Sequence, residues 1–263
     1  MLDVDAFLDT TILTEFTLKG RATNGQMKVA IRRFARSTLP TYAIKEFRAG
    51  PLDTFVWFHN ILAEERHLGR SISRAGRQSA FRPNRVRTAQ EIFALLITER
   101  FPRNDETPEE SANRMRKHLR RIILDAWQDR NTVATQRTPE LVCFNEIEPQ
   151  QNGKLLVLEP LTCGADDLCA LAPALRSRPN DIGTLTALIV GFRQTPENVR
   201  RAAGLRILNE PNSRFGNGPC RQLGDAVFAL LAPQNSVVLT TNVRDHSPLA
   251  EALRKTARSP DQD

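Results

Sequence analysis

The chain of 263 residues has four cysteines, three methionines, two tryptophans and a single tyrosine. The cysteines, Cys143, Cys163, Cys169 and Cys220, form no CxxC pair and no Cys/His cluster at zinc spacing. That sets aside a zinc module and a disulfide scaffold, and leaves reduced, buried thiols as the expectation. No apolar run approaches the length of a membrane span, so no membrane partner is expected. The opening, MLDVDAFLDTTIL, carries no basic residue and places an acid at Asp3, so no secretory signal is expected either, and the location read from the sequence is cytoplasmic. Acids are missing altogether from Arg66 to Gln90. Internal repeats are absent too.

Positive charge is what the sequence has in excess. Lysine and arginine number 37 against 30 acids, a net charge of +7. Such a balance is compatible with an anionic partner but does not require one. The length suits one large domain, or one domain carrying an insertion.

The hydrophobic pattern alternates between the two kinds of element. AFLD reads as a short first strand ending in Asp9. TLPTYAIKEFRAGPLDTFVWFHNILAEERH reads as helix, with Gly50-Pro51 as a break or kink. TAQEIFALLITER, from Thr88, and TPEESANRMRKHLRRIILDAWQDR, from Thr107, are amphipathic helices. Thr107 suits an N-cap, Pro108 the first turn, and Glu109 and Glu110 the positive end of the helix dipole. ELVCFNEIEPQQNGKLLVLEPL reads as a hairpin turning at Asn152-Gly153. Helical patterns follow in DDLCALAPALRS, DIGTLTALIVGFRQ and PENVRRAAGLRIL, and PNSRFGNGP reads as a loop. LGDAVFALLAPQNSVVLTTNVRDHSPLAEALRK then reads as helix, strand and helix, and the tail from Ser259 as disordered.

Four places carry acids in positions where chemistry is built. Asp9 follows the first strand, Glu46 lies in a helix, Asp225 begins a helix, and Asn242 and Asp245 follow a late apolar strand. In a parallel sheet, ligands bind beyond the carboxyl ends of the strands. Asp9 and the Asn242/Asp245 pair would share that rim if strands 6–9 and 236–241 are parallel neighbours. Crowded carboxylates repel unless a cation holds them, and oxygen ligands favour Mg²⁺ or Mn²⁺.

FLDTTIL, AIKEF, LGDAVFALLA and VVLTTNVRDHSPL resemble the motifs of the PIN-domain nucleases, a family that includes the toxin nucleases of bacterial toxin–antitoxin pairs. The resemblance covers about 5–60 and 220–256. It implies an α/β fold, a three-layer α/β/α sandwich around a central parallel sheet, with an added, mostly helical insertion over about 62–215, all within a single domain spanning 1–258. It implies a Mg²⁺ or Mn²⁺ site and endonuclease activity, on RNA more than on DNA, as a toxin or defence effector. Matched residue by residue, Asp9, Glu46 and Asp225 are the first three acids, and Thr240 with Asn242 and then Asp245 with His246 fill the strand-end motif. Asp9, Glu46, Asp225 and Asp245 are then the expected catalytic acids, and the same four with Asn242 the metal ligands. Asn242 is an amide where many members have a carboxylate. The resemblance also leaves open a catalytically weak nucleic-acid-binding or assembly protein, a cognate inhibitor or defence-system protein as partner, and a homodimer.

Three further features compete for a role. DVDAFLD resembles the nucleophile motif of the haloacid dehalogenase phosphatases, although only Met1 and Leu2 precede Asp3. Arg66, Arg70, Arg74 and Arg77 would line one helical face and, together with Thr240, are candidate nucleic-acid contacts; a solvated or partner-facing surface is the equal alternative. His246 reads first as a surface residue and second as a substrate contact, while Asp166 and Asp167 read as a helix start.

Overall fold

The computed structural model describes residues 3–79, 92, 94, 105–138, 144–162, 169–210 and 216–262. All of the helix expected from Thr88 except Ile92 and Ala94, both helical, the arginines Arg82, Arg85 and Arg87, and the acids Asp166 and Asp167 lie outside the described residues, as do Cys143 and Cys163. Cys169 and Cys220 are free and buried.

Five parallel strands form the centre. They are β1 (Asp5–Leu8), β2 (Ser37–Leu39), β3 (Gln136–Arg137), β6 (Ser236–Leu239) and β7 (Thr256–Arg258), in the order β3-β2-β1-β6-β7. β1 and β6 are parallel neighbours in the register Phe7↔Val238 and Leu8↔Leu239. Ala6, Phe7 and Leu8 are all buried, as is every residue of β6, the continuous apolar run expected of inner strands covered on both faces. Helices flank the sheet, so the chain is α/β with a central parallel sheet.

The first helices are α1 (Thr10–Leu18), α2 (Arg21–Arg32), α3 (Thr41–Phe47), α4 (Asp53–Glu65) and α5 (Leu68–Ser79). Between α3 and α4, Gly50 and Pro51 sit in a wide turn over Arg48–Leu52, the expected break. α6 (Pro108–Asp129) starts with the full capping box: Thr107 accepts from Glu110 N, and the Glu110 carboxylate reaches back to Thr107 N. α6 packs on α4 and α1. The hairpin is real but short: β4 (Gln150–Asn152) and β5 (Leu155–Val157) turn at Gly153, whose φ of +59° suits a residue without a Cβ.

α7 (Leu171–Arg176), α8 (Pro179–Gly191) and α9 (Pro196–Asn209) follow, and then α10 (Asn217–Leu223), α11 (Ala226–Leu231) and α12 (Val243–Ala252). The stretch between the second and third acids is mostly helical, yet it is not only an addition, because β3 within it forms an edge of the main sheet. Three expectations change. The helix read from Thr38 starts only at Thr41, because Thr38 and Leu39 belong to β2 and Pro40 separates the two elements. The end of the loop PNSRFGNGP is already helix, since α10 starts at Asn217. The tail expected to be disordered closes a turn, with Gln262 N donating to Ser259 O and Ser259 N to the Gln262 side chain. Among the described residues no helix is long and apolar enough to cross a membrane.

Candidate active site

The carboxyl ends of β1 and β6 build the site together. Asp9 N donates to Leu239 O at 3.0 Å, which ties the two strand ends to each other. Asp9 has extended backbone (φ −81°, ψ 164°) and caps α1, accepting from Thr10 N at 2.6 Å and Thr11 N at 3.3 Å. The hydroxyls of Thr11 and Thr240 each donate to Asp9 Oδ2 at 2.8 Å. The Asp9 carboxylate is therefore held by four donors, on a side chain only 3% exposed.

α3 brings Glu46 to the same place. Thr10 Oγ1 donates to Glu46 Oε2 at 2.8 Å, and Tyr42 also hydrogen-bonds this carboxyl. Asp225 arrives from the turn before α11, but it does not cap that helix with its side chain. Instead Arg201, buried in α9, donates to Asp225 Oδ2 at 3.2 Å. His246 stands between the two aspartates, with Nε2 3.5 Å from Asp9 Oδ2 and 3.5 Å from Asp225 Oδ1. Its ring packs edge-on against Phe228, which packs in the same way against Tyr42.

The charges respond to one another. Burial and then the Asp9 charge push the Glu46 carboxyl up to about 7, with Asp225 adding and the Thr10 and Tyr42 hydrogen bonds opposing. Burial likewise raises Asp225, with Asp9 and Asp245 adding and His246 and Arg201 opposing. Burial works to raise Asp9 as well, but the hydrogen bond and charge of His246, with Thr11 and Thr240, bring it below its usual value. Burial opposes the charged His246 ring, yet Asp9 first, then Asp225 and Glu46, hold its pKa above the ordinary value.

No family model, curated protein or solved structure matches the chain.

Asp9, Glu46 and Asp225 thus come together; the other expected residues divide. Asn242 and Asp245 lie at the start of α12, where the Asn242 amide donates to Asp245 Oδ2 at 2.8 Å. Asp245 is exposed, and its link to the cluster is the electrostatic one to Asp225. Thr240 is fully buried and donates to Asp9, so it positions that acid and does not face a ligand. His246, expected at the surface, is 2% exposed. One turn of helix explains the reversal: α12 begins at Val243, and of its first four residues only His246 faces inward.

The arginine face is also corrected. Arg66 ends α4 in a left-handed turn (φ 49°) and is not part of α5, so only Arg70, Arg74 and Arg77 share that helix. Arg74 is committed to Glu64 and Glu65 at 2.7 and 2.9 Å, whereas Arg66, Arg70 and Arg77 are exposed. α5 packs on α4 and α6, neither of which supplies a clustered acid. The DxD of the opening lies at the wrong end: Asp5 starts β1 and pairs with Arg36. Arg201 was not singled out from the sequence. It is one of two adjacent arginines in a helix, and nothing local distinguishes the buried one.

Among the described residues, no three His, Cys, Asp or Glu side chains stand already arranged as a metal-binding group. His246 and Arg201 instead stand against the Asp9 and Asp225 carboxylates. The donor chemistry still suits a hard divalent cation. The acids offer oxygen, Glu46 is half-buried rather than sealed, and burial followed by the charge of Asp9 raises its pKa.

Proposed function

We propose that the chain is a metal-dependent nuclease of PIN type that hydrolyses phosphodiester bonds, in RNA more readily than in DNA. The observation that carries this reading is the convergence of Asp9, Glu46 and Asp225 at the carboxyl ends of β1 and β6, where burial and then the charge of Asp9 lift Glu46 to about 7. Asp9, Glu46 and Asp225 would hold the ion, and Asn242 and Asp245 would border it. A bound Mg²⁺ or Mn²⁺ supplies Lewis acidity and neutralises charge at the reacting phosphate.

The side chains have separate tasks. Thr10 N, Thr11 and Thr240 fix the Asp9 carboxylate, and His246 first, then Thr11 and Thr240, lower its pKa. Arg201 orients Asp225. Glu46 exchanges its proton near neutral pH in the metal-free chain and would join the ligands of the ion once deprotonated, while the water that adds to phosphorus would give its proton to solvent. The bond to the 3′ oxygen breaks as the new one forms, and that oxygen takes a proton from solvent to leave as a hydroxyl.

A second reading has its own observation. His246 and Arg201 already neutralise two of the three acids, as suits a PIN-type fold that binds nucleic acid or assembles with partners and cuts weakly. Incubation of labelled single-stranded RNA and DNA with the chain in Mg²⁺, Mn²⁺ or EDTA, beside Asp225→Asn, separates the two. Cleavage that needs the metal and Asp225 supports the nuclease; RNA binding without cleavage in Mn²⁺ replaces it with the second reading.

A further inference from the structure

A cavity of about 650 Å³ opens beside the acids, and Glu46 belongs to its wall. α3 and the turn after it supply Lys45 and Arg48, the segment following β5 supplies Leu158 and Pro160, and α10 supplies Asn217 and Arg221. Two of these side chains carry a polar atom that is buried and without a hydrogen-bond partner: Arg48 Nε, a donor, and Asn217 Oδ1, an acceptor. Arg48 is only 2% exposed and cannot swing out to water, because its Nη2 donates to the Glu159 carbonyl at 2.6 Å. Both residues line the cavity, and unmatched polar atoms in its wall residues point to a ligand that completes them.

The ligand's chemistry follows from the lining. A donor and an acceptor from different elements, beside the apolar surface of Leu158 and Pro160, suit the hydrogen-bonding edge of a flat heterocycle. Arg221 is exposed at the cavity and offers a cation to a phosphate. Lys45, Arg48 and Arg221 are matched in the same wall by Glu46, Asp53 and Glu159. Balanced charge of this kind does not suit a polyanion bound by charge alone; it suits a ligand with one phosphate and a polar edge. The volume falls in the range of small-molecule sites and is too confined for a duplex. Sequence-specific recognition of RNA commonly takes splayed, unpaired bases in this manner.

We propose that this cavity binds one unpaired nucleotide of a single-stranded substrate, next to the phosphodiester presented to Asp9, Glu46 and Asp225. The proposal rests on the nuclease reading for the identity of the substrate. The wall from Leu158 to Leu161 and the α10 residues lie outside the segments that carry the family resemblance, or at their margin, so base preference would be a property of this chain's added structure.

The test is equilibrium binding of the four ribonucleoside 5′-monophosphates, and of inorganic phosphate, to the full chain in EDTA. One base is expected to be preferred by about fivefold or more. Asn217→Leu should weaken that nucleotide about tenfold and level the preference among bases. Arg221→Gln, an exposed change that leaves the fold alone, should weaken the nucleotide but not the matching nucleoside. The cavity assignment is overturned if no monophosphate binds better than phosphate, or if both variants bind like the parent. Metal-dependent RNA cleavage by a chain that binds no nucleotide would leave the nuclease reading standing without this cavity. Nucleotide binding by a chain that cuts nothing in Mn²⁺ would do the reverse.

Discussion

The Nε2 atom of His246 stands 3.5 Å from Asp225 Oδ1, and the same distance from Asp9 Oδ2. One imidazole thereby bridges two carboxylates that come from opposite ends of the chain. Removing it should uncover their repulsion. His246→Gln is expected to destabilise the metal-free protein by about 2 kcal/mol, the usual cost of leaving buried charged groups short of a partner. It should also enlarge the rise in melting temperature on adding Mn²⁺, because the ion no longer competes with the ring. Thermal unfolding with EDTA and with Mn²⁺ reads both effects; an unchanged Mn²⁺ increment would show that His246 and the ion do not share the carboxylates.

The pH dependence has a definite sign. Glu46 is raised from 4.5 to about 7 in the folded chain, so folding favours its protonated form, and that stability is lost as pH rises from about 4.5 through 7. His246 is also raised, and its contribution is lost as pH rises through its folded value. The lowered Asp9 acts oppositely and matters only in acid. The metal-free protein should therefore melt lower at pH 8 than at pH 6. Glu46→Gln should reduce the stability lost between pH 6 and pH 8 by about 1 kcal/mol, after allowance for the side chain's partial exposure. Melting curves across this range that run parallel for parent and variant would refute the assignment.

Metal affinity should climb over the same interval. A protonated Glu46 is a poor ligand, so Mg²⁺ binding should tighten from pH 6 to pH 8 and release a proton near pH 7. Calorimetry in two buffers of different ionisation enthalpy measures that proton directly. Chelation with EDTA should abolish cleavage, and restored Mn²⁺ should recover it.

Asp9 and Asp225 should separate structure from chemistry. Asp9 caps α1 and accepts from two threonine hydroxyls, so Asp9→Ala should cost about 2 kcal/mol in addition to activity. Asp225 makes no side-chain cap, its charge is disfavoured by burial, and an amide can still accept from Arg201, so Asp225→Asn should keep the melting temperature within a few degrees and still lower single-turnover cleavage by about a hundredfold or more. Equal stability losses in the two variants would count against this division.

Arg70 and Arg77 are exposed, while Arg74 is held by two glutamates. If α5 grips phosphate, Arg70→Gln with Arg77→Gln should weaken RNA binding and lower its salt slope by about two, and Arg74→Gln should do less. Filter binding at several salt concentrations gives the slopes. An unchanged slope would mean that α5 faces solvent or a protein.

How much was legible in advance can be read from single elements. The apolar runs AFL and SVVL announced inner strands, because a strand covered on both faces has no polar side to show. Thr107, Pro108 and Glu110 announced the start of α6, because a cap is a local contract between a side chain and nearby backbone. Asn152-Gly153 announced the hairpin for the same reason. Asp9 and Asp225 could be suspected from their places at element ends, and Glu46 from the AIKEF motif. Arg66 was misplaced into a single arginine face because the break after α4 needs only one left-handed residue, which composition does not reveal.

The sequence by itself determined β1, β6, the hairpin, several helices and caps, and the excess of positive charge, all of which depend on neighbours within a few residues; β2, β3 and β7 are too short to show a period. Tertiary structure alone decided that His246 turns inward between Asp9 and Asp225, that Arg201 rather than Arg200 meets Asp225, and that Arg48 and Asn217 share a cavity with Glu46. Those are contacts between segments far apart in the chain, where burial and charge act through space, and no local pattern records which of several equivalent side chains the packing will choose.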